Sequence, residues 1–158
     1  MAAHRQDMGW TLVRCPGGEV DDNYRWQKKR LDNGKDFPFE DGPDQMDFGE
    51  FMAWLRTVGA EPVCVVNLES GYLAGDPEKG VQEAADWVRY ANVTKGYGVT
   101  YWEIGNETDL LGTRHPLTAE EYGQAVTRFS QAMKAVDPHI RIGALGPLSP
   151  THAAPLDR

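Results

Sequence analysis

Several absences narrow this sequence before any motif is considered. Only two of its 158 residues are cysteine, Cys15 and Cys64, too few for a disulfide framework and not in a metal-type spacing. Cys64 lies in the apolar run Pro62-Val63-Cys64-Val65-Val66 and reads as a small buried hydrophobe, with a single bridge to Cys15 left open. No apolar run approaches the ~20 residues of a membrane-spanning helix, so no membrane partner is expected. The start, Met1-Ala2-Ala3-His4-Arg5-Gln6-Asp7, lacks the apolar core of a secretion signal. It implies cytoplasm if the chain begins there and secretion if an upstream segment has been lost. Positive charge is also scarce. Sixteen Lys and Arg against 24 Asp and Glu give a net charge of −8, which argues against nucleic acid as a partner. The one basic cluster, Lys28-Lys29-Arg30, is closely followed by Asp32 and Asp36 and reads as a solvated loop. No G-x-G-x-x-G follows an apolar run, which leaves dinucleotide binding without support. His4, His115, His139 and His152 are scattered, so neither a metal nor any other cofactor is expected.

What remains has the composition of an ordinary globular domain, 41% hydrophobic and 25% charged, and one domain over residues 1–158 is expected. Four short apolar runs alternate with three amphipathic segments. The runs, Thr11 to Arg14, Pro62 to Asn67, Val99 to Ile104 and Ile140 to Leu145, are β-branched and closed by Gly, Asn or Pro. That pattern suits parallel strands buried on both faces. Phe48, Phe51, Met52, Leu55 and Val58 repeat at helical spacing before Gly59, and Val81, Ala84, Ala85, Val88 and Ala91 do the same. The third helix opens on a Thr118–Glu121 capping box, carries Tyr122, Ala125, Val126, Phe129, Ala132 and Met133 in one stripe, and ends at Asp137-Pro138. Strand–helix–strand repetition predicts an α/β fold with a parallel sheet, either doubly wound or part of a (β/α)8 barrel. The stretch from Gln27 to Gln45 has no periodicity, and a loop of that length is expected on a functional face. The tail 147–158, with three prolines in Gly146 to Arg158, is expected to fray.

Chemistry concentrates in Tyr101-Trp102-Glu103-Ile104-Gly105-Asn106-Glu107, where an apolar strand ends in an amide and a carboxylate. The carboxyl end of a parallel strand is where such sheets open to ligands. A carboxylic acid there can protonate a leaving oxygen while a second carboxylate attacks an anomeric carbon. The competing reading is that Asn106 and Glu107 merely cap the segment that follows. Spacing alone leaves both open.

The YWEIGNE run resembles the acid/base motif of the α-L-arabinofuranosidases, glycoside hydrolase family 51-like members of the retaining (β/α)8 clan. Three further stretches carry the resemblance from Leu12 to Gly146. Arg14-Cys15-Pro16-Gly17-Gly18, continued by Asp22 to Trp26, is similar to the family's second-strand motif, Arg-aromatic-Pro-Gly-Gly. Ala84 to Asn92 and Ala132 to Pro138 are similar to family helices. The resemblance implies a partial barrel holding strands two to five, about four parallel strands with three crossover helices. It also implies a carbohydrate partner bearing arabinose side chains. By the same resemblance Glu107 is the general acid/base, Asn106 the ligand of the sugar 2-hydroxyl, and Arg14 a residue of the glycone pocket. A structural ion pair remains the alternative for Arg14. Asn67 matches a family position near the pocket without an assigned contact. Glu19 departs from the usual Asn or Ser, and Cys15 from an aromatic. An extra carboxylate at Glu19 is expected to alter sugar contacts or raise a neighbouring pKa. Trp26, Trp102 and Tyr72 can stack on sugar rings, whereas Trp54 and Trp87 read as core. The sequons at Asn92 and Asn106 read as chance.

The family's nucleophile, a Glu on the seventh strand, has no counterpart here, and a full barrel needs about 250 residues. The sequence therefore reads as part of a larger enzyme, inactive alone and able to self-associate through exposed sheet edges. Two other readings stay open: a non-catalytic carbohydrate-binding half-barrel or subunit, and the same clan acting on a xyloside, glucuronide or β-glucan.

Overall fold

The computed structural model describes residues 9, 11–27, 30–31, 47–108 and 116–146, leaving aside the side chains of residues 19, 30 and 31. Most of the Gln27 to Gln45 stretch and the tail 147–158 lie outside the described residues. A four-stranded parallel sheet forms the centre, in the spatial order β1 (Leu12–Cys15), β4 (Glu61–Val66), β5 (Tyr101–Ile104), β6 (Arg141–Gly143). Between β1 and β4 a small antiparallel hairpin pairs β2 (Tyr24–Arg25) with β3 (Arg30–Leu31).

Strand order decides between the two architectures that periodicity left open. A doubly wound sheet reverses direction at a switch point. Here every crossover steps the same way, so successive strands are neighbours, as in a (β/α)8 barrel.

The crossover helices begin and end where local chemistry dictates. Helix α1 (Phe48–Val58) starts on a reciprocal capping box between Asp47 and Glu50 and stops at Gly59 in the left-handed conformation. The second crossover holds more than the single helix expected. A short α2 (Glu69–Leu73) precedes α3 (Pro77–Val88), which opens on Pro77 and runs into a π-helical turn, Arg89–Thr94. Helix α4 (Ala119–Val136) has the Thr118–Glu121 capping box and a C-cap at Asp137.

Register assigns the two sheet faces. Cys64, Val66, Trp102 and Ile104 point toward the helices and join Met52, Leu55, Trp87, Val88, Phe129 and Met133 in one core. Trp102 edges onto Trp87 at 5.5 Å, and Phe48 packs on the same Trp87 at 5.2 Å. The other face carries Arg14, Val63 and Tyr101 at one level and Val65, Glu103 and Gly143 at the next. Burial on both faces, expected of all four strands, holds only for the end of β4, and on β5 Tyr101 and Glu103 are half-buried. Leu12 on β1 is 50% exposed, and Arg141 and Gly143 on β6 are exposed, because these are the edge strands of an open arc.

Cys15 and Cys64 are register partners on adjacent strands, yet both thiols are free. Burial pushes the Cys15 thiol up to about 12 and Cys64 well above its usual value. Asn92 is tied by both ends of its amide to Val99 and to Asp137, consistent with a chance sequon.

Candidate active site

The site is assembled by three loops at the carboxyl ends of β1, β4 and β5. After β1 the chain passes a cis Cys15–Pro16 peptide, then Gly17 at φ 107° and Gly18 at φ 68°. Only glycine reaches these angles without strain, and the tight turn folds the 3₁₀ segment Gly18–Val20 back against the strand end. It delivers two aspartates into the protein. Asp21 is 0% exposed, and its Oδ1 accepts the Gly17 N–H at 2.5 Å. Asp22 is also buried, and its Oδ1 accepts the Asn106 N–H at 3.0 Å.

Arg14 is the hub. Its Nε and Nη2 donate to the two oxygens of Glu103 at 2.8 and 3.2 Å, a bidentate pair. Nη2 also donates to Asn106 Oδ1 at 3.2 Å, and Nη1 lies 2.7 Å from Asp21 Oδ2 as an ion contact without hydrogen-bond geometry. Burial works against the guanidinium charge, but the bond to Glu103 and the charge of Asp21 outweigh it and raise the Arg14 pKa. One cation does not satisfy this many carboxylates. Burial pushes Asp21 up to about 7 against the opposing Gly17 N–H and Arg14, with Glu103 adding to the rise. Burial likewise pushes Asp22 up to about 7 against the Asn106 N–H, with Glu69 and Asp21 adding to it.

At the end of β5, Gly105 sits at φ 71°, and its N–H is held by Val66 O at 3.1 Å. A Cβ there would meet Thr108 Cγ2 at 3.1 Å and Leu68 Cβ at 3.3 Å, so the turn is built around its absence. Asn106 is 6% exposed, and its Nδ2 is buried without a hydrogen-bond partner. Asp22 feels that amide electrostatically, but its bond of good geometry is to the Asn106 backbone. Glu107 follows, half-buried, at φ 47°, the one non-glycine residue with positive φ among the described residues. The capping reading does not describe Asn106, whose Oδ1 bonds to Arg14, and α4 is capped instead by Thr118.

Arg14 and Asn106 thus meet at the carboxyl ends of β1 and β5, with Glu107 next in the chain. Other expected residues do not join them. Asn67 is engaged inside the protein: Nδ2 donates to Tyr24 O and Ser70 Oγ, and Oδ1 accepts from Ser70 N–H. It ties loops together, with both amide protons spent on protein acceptors. Trp26 lies flat on Trp87 at 5.9 Å and donates to Glu83 O, so it belongs to the helix-side aromatic cluster. Trp102 is buried and bonds to Val99 O, and the Tyr72 hydroxyl accepts from Arg128 on α4. Trp87 is core as expected, and Trp54 is half-buried against Phe51. Glu19 falls in the 3₁₀ segment, with its side chain outside the described set. A cavity of about 260 Å³ lined by Met52, Arg56, Glu61, Tyr97 and Thr100 sits at the opposite, amino-terminal end of the strands.

Asp21, Asp22 and Glu103 were missed by sequence reasoning. For Glu103 a signal existed, since strand alternation turns it away from Trp102 and Ile104 and a carboxylate there calls for a cation. Nothing periodic marks the two aspartates.

Neighbouring strands in sequence order, with a polar constellation gathered at their carboxyl ends, define part of a (β/α)8 barrel. Residues 4–156 match the family model described as the alpha-L-arabinofuranosidase 1 domain. The chain belongs to that family. It is 31% identical to an intracellular exo-α-(1→5)-L-arabinofuranosidase of Streptomyces lividans, over 89% of this chain and 24% of the relative. It is 28% identical to an exo-α-(1→6)-L-arabinofuranosidase of Bifidobacterium longum, over 89% of this chain and 30% of that one. Among solved structures it superposes on a crystal structure of an arabinofuranosidase with a TM-score of 0.72 and 26% identity, covering 96% of this chain and 34% of the other. An arabinose complex of the α-L-arabinofuranosidase from Thermotoga maritima gives a TM-score of 0.66 at 26% identity, over 96% and 34%. The chain therefore spans about a quarter to a third of these relatives.

Proposed function

We propose that this chain carries the acid/base half of a retaining α-L-arabinofuranosidase site. Glu107 protonates the leaving oxygen of an arabinofuranoside and then, as base, draws a proton from the attacking water. Arg14 lines the glycone pocket, where its fixed charge favours the ionised form of the nucleophile. Asn106 binds the sugar 2-hydroxyl. Its Nδ2 lacks an acceptor that the hydroxyl would supply, and since the atom is closed to solvent, binding requires a local shift of the turn.

The observation that carries this reading is the conformation of Glu107. A half-buried carboxylate in the left-handed region costs roughly 1–3 kcal/mol and persists only where surrounding contacts dictate it. Those contacts are the Asp22 and Arg14 bonds to the preceding Asn106. Retention needs a second carboxylate about 5 Å away, which the family resemblance assigns to a strand beyond the four present.

An external nucleophile tests this half-site. The chain alone is expected to hydrolyse an aryl α-L-arabinofuranoside near background. Azide, attacking the anomeric carbon opposite the leaving group, is expected to displace the aglycone and give the glycosyl azide of inverted configuration. With a poor leaving group, Glu107→Gln should reduce that azide-dependent rate about 10²- to 10⁴-fold. Unassisted turnover that Glu107→Gln leaves intact would overturn the assignment.

A further inference from the structure

We infer that Asp22 is the positioning residue for Glu107, its carboxylate reaching from the loop after β1 to clamp the turn that ends β5. The inference rests on reading Glu107 as the acid/base.

Asp22 is itself anchored before it touches that turn. Its carbonyl accepts from Ser70 Oγ at 3.2 Å, and Ser70 is held at Oγ by Asn67 Nδ2 at 2.8 Å and at its N–H by Asn67 Oδ1 at 3.0 Å. Asn67 Nδ2 also reaches Tyr24 O at 3.2 Å, which fixes the far side of the same loop. From this frame Asp22 Oδ1 takes the Asn106 N–H at 3.0 Å in a buried bond spanning 84 positions of sequence. The bonded residue stands between Gly105 at φ 71° and Glu107 at φ 47°, so the clamp acts at the middle of a left-handed turn.

Charge explains why this is more than loop packing. Asp22 faces the like charges of Asp21 on its own loop and Glu69 at the start of α2. Arg14 on β1 directs its nitrogens to Asp21, Glu103 and Asn106, and reaches Asp22 only by longer-range attraction. A neutral side chain would hold the loop without that repulsion. What the side chain adds is an acceptor oxygen for one particular N–H, which fixes the residue that precedes Glu107.

The test needs no turnover. In labelled chain, a strong intraresidue contact between the amide and α protons of Glu107 reports positive φ. Asp22→Ala is expected to lose it, while Asp22→Asn, which keeps an acceptor oxygen, retains it. Amide shifts of α3 and α4 should stay unchanged in both. If the alanine variant does not fold, Asp22→Ser, too short to reach, carries the same expectation. The azide-assisted kcat should drop tenfold or more in Asp22→Ala with KM little changed, and recover in Asp22→Asn. A strong Glu107 contact persisting in Asp22→Ala or Asp22→Ser overturns the positioning role. Loss of that contact beside a Glu107→Gln variant that turns over normally overturns the acid/base reading instead.

Discussion

Replacing Arg14 by methionine keeps the methylene stem and removes one guanidinium that faces two carboxylates. The structure sets the expected cost. Glu103 loses a bidentate partner at 2.8 and 3.2 Å, and Asp21, with no exposure of its own, loses its cation at 2.7 Å. Removing one member of a buried pair typically costs about 3–5 kcal/mol. Arg14 is 33% and Glu103 21% exposed, so the lower end, about 3 kcal/mol, applies here. Against a domain stability of roughly 5–15 kcal/mol that is a large share. The cost must also depend on pH. Asp21 titrates near 3.8 when unfolded and at about 7 in the fold, where burial favours its protonated form. Between those values the native state binds more protons, so stability falls as pH rises and levels off above about 7. Each such group contributes a slope of up to about 1.4 kcal/mol per pH unit. Without Arg14 the Asp21 pKa rises further, and the decline continues past the point where the parent protein flattens. Urea unfolding followed by circular dichroism, at about pH 5, 7 and 8.5, reads both curves. The gap between parent and Arg14→Met should be open already at about pH 5, where the Glu103 pair is missing, and wider at about pH 8.5, where Asp21 also lacks its cation. A gap that stays constant or narrows with rising pH would refute the electrostatic reasoning.

Two further substitutions probe the frame of the same site. Tyr122 on α4 donates its hydroxyl to Ile104 O and accepts from Leu145 N–H, both at 2.8 Å, joining the ends of β5 and β6. Tyr122→Phe should cost about 1–3 kcal/mol in urea unfolding, because it leaves a buried acceptor and a part-buried donor unpaired. Gly105→Ala puts a Cβ 3.1 Å from Thr108 in a left-handed residue. It should lower stability by about 1–3 kcal/mol and broaden the Asn106 and Glu107 amide resonances, and an unchanged Tm would contradict the tight turn.

Local chemistry was legible in the chain itself. Phe48, Met52 and Leu55, and Ala125, Phe129 and Met133, fall at helical spacing, and those six side chains are the buried ones of α1 and α4. Thr118 with Glu121, and Gly59, mark helix ends because a cap involves groups three or four residues apart. The β-branched runs gave the four strands, and the Asn106-Glu107 pair stood out because it closes one of them. The sequence determined such features because each is decided among residues close together along the backbone.

Tertiary structure decided the rest. Whether the sheet reverses or steps onward depends on which strand lies beside which, and no local spacing encodes that. Arg14 meets Glu103 and Asn106 across about 90 positions, and Asp22 meets Asn106 across 84. Trp26 and Asn67 have the composition of ligand residues but are taken up by Trp87, Tyr24 and Ser70 once the loops close. The ionisation of Asp21 and Asp22 was equally unreadable, because a carboxyl pKa follows the burial and charges that the fold assembles around it rather than its neighbours in sequence.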